Sequence, residues 1–139
     1  MLDPVPTTPL GCEDIVLRAL LKKNWFDEDT KRIKADAFIR DPKRDLDGLS
    51  VNIHSKTDAA SWLAGFSRSF GADTLHTGRI RDIDRALDVG QAEDDAEAHP
   101  DHAIIIGMPF TDDDPDRAES LASRLVEISR TLDRNMRRK

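Results

Sequence analysis

The stretch from Asp114 to Met136 constrains the fold more than any other part of the chain. Asp114 stands as a cap, Pro115 takes the first helical position, and Ala118, Leu121, Leu125, Ile128, Leu132 and Met136 recur at spacings of three and four. That period predicts an amphipathic helix of about five turns with one apolar stripe, which must be covered by something else in the molecule. A covering surface is suggested just upstream. "HAIIIGMP" is a continuous apolar run between Pro100 and Pro109, and a run that short suits an interior strand covered on both faces.

Further strands follow from alternation. In "EDIVLRALLKK", Ile15, Leu17, Ala19 and Leu21 alternate, which favours a strand over a helix, and "GLSVNIH" places Leu49, Val51 and Ile53 on one side with Ser50, Asn52 and His54 on the other. "KADAFIRD", residues 34–41, reads as a strand paired with residues 48–54 in a hairpin across "PKRDLD". "KTDAASWLAGFSRSFG" reads as a second helix, capped by Thr57, stopped by Gly71 and carrying Trp62, Leu63, Phe66 and Phe70 on a buried face. Residues 74–80 suit another strand, followed by a short helix through Ile83 and Leu87 that ends before Gly90.

These elements predict an α+β domain: a small, mostly antiparallel sheet of four to five strands, covered on one face by two amphipathic helices. Residues 1–11, with three prolines, are expected to form a flexible leader ahead of one domain over residues 12–139. A chain of 139 residues can bury enough surface for one core. No apolar run approaches the ~20 residues of a membrane-spanning helix. The single cysteine, Cys12, cannot form an internal disulfide, so a cytoplasmic location without membrane attachment is expected.

Charge narrows the function classes. A net charge of −6 argues against nucleic-acid binding, which needs a surplus of cationic side chains. The charge is also unevenly spread: residues 72–116 hold thirteen acids against three bases, whereas residues 22–44 hold eight bases against five acids. An acidic surface centred on Glu93, Asp94, Asp95 and Glu97 is the candidate contact for another protein, steering a basic partner.

Three constellations bear on chemistry. "HPDH" offers His99 and His102 around Asp101, but Pro100 imposes a turn rather than the helical frame of a zinc-protease motif, so no metal and no cofactor are expected. Ser50, Asn52 and His54 share a strand face, although alternate strand positions lie too far apart for a Ser–His hydrogen bond without help from another element. His76 and Arg79 flank Gly78 and are candidates to border an anion. The ligand-binding candidates are therefore His54, His76, Arg79 and His102. The order of Arg18 and then Ser50 in successive strands resembles the first two members of the Arg, Ser, Glu layout of ADP-ribosyltransferase-like folds. The resemblance ends there, because Glu93, Glu97, Glu119 and Glu127 fall in the acidic loop or on the C-terminal helix.

The expected function is a non-catalytic interaction or regulatory protein: a subunit, inhibitor or immunity-type partner of another protein. The alternative is a small enzyme acting on a nucleotide or other phosphorylated ligand. An enzyme should gather its polar candidates in one concave site, whereas an interaction protein should leave them dispersed.

Overall fold

A computed structural model describes residues 7–20, 25–27, 29–30, 32–41, 45, 48–56, 72–93 and 100–131. Its strands are β1 (Thr7–Pro9), β2 (Ile15–Ala19), β3 (Phe26–Asp27), β4 (Arg32–Ile33), β5 (Leu49–Ile53), β6 (Ala72–His76), β7 (Asp88–Ala92), β8 (His102–Ile106) and β9 (Arg130–Thr131). Its α-helices are α1 (Thr77–Ile83) and α2 (Pro115–Ile128). Seven strands form one sheet in the order β1-β7-β8-β5-β2-β6-β9, with every pairing antiparallel, while β3 and β4 form a separate two-stranded ribbon.

The α+β class holds, and the sheet is larger than the expected four or five strands. Short edge strands carry part of the difference: Thr7–Pro9, within the segment expected as a leader, pairs with β7, and Arg130–Thr131 pairs with β6. Strand β7 is the other unforeseen member. Gly90, expected beyond a helix end, lies within it, and a Cβ there would come within 2.6 Å of the Thr7 Cβ. The glycine therefore lets the edge strand approach closely.

One sheet face and the helices share the core. Val16, Val51, Ile53, Leu75, Val89 and Ile105 from the sheet join Ile80 of α1 and Leu121, Ala122 and Leu125 of α2 in a single apolar cluster. Ala103, Ile104 and Ile105 are all buried, so β8 is covered on both faces as its sequence implies, and it lies in the sheet interior between β7 and β5. The α2 cap forms as expected, with the Asp114 side chain accepting a hydrogen bond from the Arg117 N–H at 3.2 Å. The helix is shorter than five turns, ending at Ile128 before the chain turns into β9.

Two expectations need correction. Residues 34–41 do not make a strand: Ala35–Phe38 form a 3-10 turn, and β5 pairs with β2 and β8 instead of this segment. Ala37 and Phe38 are both fully buried, and the Ala37 and Ile39 N–H groups donate three residues back, to the carbonyls of Lys34 (3.1 Å) and Asp36 (3.3 Å), so they are not offered to a neighbouring strand. The strand expected over 74–80 stops at His76, where α1 begins. The N–H groups of Thr77 and Gly78 donate to the carbonyls of Asp14 and Cys12, each at 3.0 Å, so a turn of the chain satisfies the helix start. The helix expected around Trp62 lies outside the described residues.

Candidate functional site

Strand β2 carries Arg18 on the core face, between Val16 and Leu20, where an arginine must find partners. Its guanidinium meets Asp45 through two bonds, Nη1 to Oδ1 at 3.1 Å and Nη2 to Oδ2 at 3.2 Å, and both side chains are buried. Arg18 also donates to the carbonyls of Ala37 and Ser50, each at 2.9 Å. Asp45 accepts in addition from the N–H groups of Asp41 (2.7 Å) and Ser50 (2.9 Å). The β2–β5 ladder registers Val16 with Ile53 and Leu17 with Asn52. Beyond those pairs, the Arg18–Asp45 pair takes the Ser50 backbone groups. This accounts for Arg18 as a structural side chain.

The opposite face of β5 holds a polar cluster that the sequence only half disclosed. Ser50 Oγ lies 3.1 Å from His102 Nε2, across the β5–β8 pairing, and Asn52 Nδ2 donates to Asp101 Oδ2 at 2.9 Å. The histidine that reaches Ser50 is therefore His102 from the neighbouring strand. His54, two residues beyond Asn52, is exposed in a 3-10 turn after β5. A serine hydroxyl within hydrogen-bond reach of an imidazole has the spacing of a nucleophile and its base, but both residues sit on a sheet face rather than in the cleft described next.

That cleft, of about 460 Å³, is lined by Trp25, Ala35, Asp36, Ile39, Arg40, Asp41, Thr111, Pro115 and Glu119. It lies between the 3-10 turn after β4 and the first turn of α2. Arg40 forms part of its wall. Its Nε and Nη2 donate to the Asp45 carbonyl at 3.0 and 2.9 Å, its Nη1 donates to the Met108 carbonyl at 2.9 Å, and its guanidinium stacks over Phe110 at 3.7 Å. Sequence reading overlooked this site because its residues come from three separated segments, none with a periodic signal.

The remaining candidates are dispersed. His76 is exposed at the end of β6, opposite Ile15, and Arg79 is exposed on α1. Neither lines the cleft. In the same stretch Arg81 is occupied: it donates to Asp88 Oδ1 and to the Leu10 carbonyl, both at 2.6 Å, and to Cys12 Sγ at 3.2 Å. Arg81 thus clasps the segment after β1 to the start of β7. Burial pushes the Asp88 carboxyl up, but the bonds from Arg81 and the Val89 N–H, with the guanidinium charge, outweigh it and hold it below the ordinary carboxylate value. Glu93 is exposed and accepts from Thr8 Oγ1 at 2.8 Å. Asp94, Asp95, Glu97 and His99 lie outside the described residues. Among the described residues no group of three or more His, Cys, Asp or Glu is placed to hold a metal ion, and no helix is long and apolar enough to cross a membrane.

No family model, curated protein or solved structure matches the chain.

Proposed function

We propose that the protein is a non-catalytic interaction or regulatory protein: a subunit, inhibitor or immunity-type partner of a basic protein. The observation that carries this reading is dispersal. His54, His76, Arg79 and His102 belong to four different elements, and none of them lines the cleft. Catalysis on a bound ligand calls for such groups to converge. The acidic stretch supports the choice of a basic partner, since opposite potentials speed encounter.

The test compares two mutant sets in one binding assay, once affinity purification and mass spectrometry have supplied the partner. Changing Glu93, Asp94, Asp95 and Glu97 to Lys should slow association and flatten its salt dependence, because rim charges act mainly on encounter rate. His76→Ala and Arg79→Ala should change it little. The reverse order, with both variants folded, would overturn the reading.

A second reading, a small enzyme acting on a nucleotide or other phosphorylated ligand, draws on one observation, the 3.1 Å contact between Ser50 and His102. An activated Ser50 would attack a fluorophosphonate at phosphorus, expelling fluoride and passing its proton to His102. Labelling of Ser50 that disappears in His102→Ala would favour the enzyme, and an unlabelled serine would remove it.

A further inference from the structure

We infer that the cleft beside Trp25 is the seat of an arginine side chain supplied by the partner protein. The inference rests on the interaction reading above and names what the partner must present. The cleft joins two features that an arginine needs together. Ala35, Ile39 and Pro115 supply apolar wall for the methylene stem, and Asp36 and Glu119 supply carboxylates for the guanidinium.

Charge decides the sign of the occupant. Among the described residues three carboxylates line the cleft against one cation, Arg40, whose Nε, Nη1 and Nη2 each already donate to a backbone carbonyl, of Asp45 or of Met108. Among the described residues the Asp36 and Glu119 side chains make no hydrogen bond or ion pair, and both are exposed, so their acceptor capacity is open to a ligand. The rim strengthens the same field. The segment joining Thr111 to α2 adds the exposed carboxylates of Asp112 and Asp113, and the first turn of α2 adds that of Asp116. A phosphate or carboxylate ligand would meet repulsion there.

Geometry favours arginine over lysine. A planar guanidinium engages carboxylates by two bonds and stacks on flat rings, whereas an ammonium is a compact and strongly hydrated charge. One lining residue of each kind already takes part in such a contact with a residue behind the wall: the Trp25 ring lies 5.8 Å from the buried Arg18 guanidinium, and the Arg40 guanidinium lies 3.7 Å from the Phe110 ring.

The probe is Nα-acetyl-arginine methylamide, titrated into the full-length ¹⁵N-labelled protein, with the uncharged citrulline analogue as control. Saturable shifts should centre on the Trp25 indole and the amides of Asp36, Thr111 and Glu119. Binding should weaken by about threefold or more with citrulline, and equally in the Asp36→Asn, Glu119→Gln double variant, as loss of exposed charge pairs implies. Both positions are exposed, so the variant should remain folded. Shifts scattered over the surface, or binding unchanged by citrulline and by the double variant, would overturn the inference. Partner capture separates it from the reading it rests on. A partner bound equally by wild type and the double variant would remove the cleft from the interface while leaving the interaction reading intact. Failure of the acidic-stretch comparison would strike that reading, and the arginine titration would still decide the cleft.

Discussion

Arg18 and Asp45 form a buried two-bonded ion pair, and between them they bind both backbone polar groups of Ser50. The pair fixes the start of β5 where its hydrogen bonding to β2 gives way to side chains. The Ala37 carbonyl and the Asp41 N–H join the same network, so the 3-10 turn and the cleft wall depend on it.

Removing one member should therefore be severe. Asp45→Ala leaves a buried guanidinium without its counter-charge and two N–H groups without an acceptor, and it should cost about 3–5 kcal/mol. Asp45→Asn keeps one acceptor oxygen and should cost less. Urea denaturation of both variants measures this, and an Asp45→Ala protein as stable as wild type would show that the pair contributes nothing to the fold.

Gly107 adopts a φ of +99°, and a Cβ at that position would lie 2.1 Å from the Ala86 carbonyl oxygen. Both the backbone conformation and the space exclude a side chain. Gly107→Ala should destabilise by at least about 2 kcal/mol, through strain and displacement of the turn that leads into β7. Thermal unfolding checks the magnitude, and faster amide exchange concentrated in β7 and β8 would locate it.

Leu125 is fully buried on α2 in the shared core, whereas Glu127 on the same helix is exposed. Leu125→Ala should lose about 2–5 kcal/mol by leaving a cavity. Glu127→Ala should stay within about 0.5 kcal/mol of wild type. Equal melting temperatures for the two variants would mean that the buried stripe of α2 has been misidentified.

Those residues also mark what the sequence made legible. Alternation in Ile15–Ala19 and Leu49–Ile53, the apolar run of β8 and the Asp114–Pro115 helix start each express a local pattern, and each element is present. Pairing was less accessible. β5 takes its neighbours from residues 15–19 and 102–106, and no local signal distinguishes those from the adjacent segment 34–41. Phe38 was legible as apolar, but its burial beside Ala37 depends on a 3-10 turn secured by distant partners. The site divided in the same way. Ser50 and Asn52 were recognisable as a polar strand face, but His102 became the partner of Ser50 only through cross-strand register. The cleft around Trp25 required three segments to meet, and neither Asp36 nor Glu119 sits in a motif.

The Arg81–Asp88 contact gives a prediction whose sign can be fixed. The Asp88 carboxyl lies below its ordinary value of 3.8 in the folded protein. A carboxylate depressed by folding stabilises the native state above its unfolded pKa, and that contribution is lost as pH falls through the folded value. Asp88→Asn cannot titrate, so the stability difference between wild type and this variant isolates the group. At neutral pH wild type should be the more stable by a few tenths of a kcal/mol to about 1 kcal/mol, a modest figure because the Asp88 side chain is 48% exposed and solvent screens the pair. The difference should shrink once the pH drops below about 4, where the unfolded carboxyl takes up its proton first. Urea midpoints across that range measure it, with high salt expected to reduce the neutral-pH difference. A difference that widens on acidification would mean that burial, rather than the Arg81 clasp, dominates at Asp88.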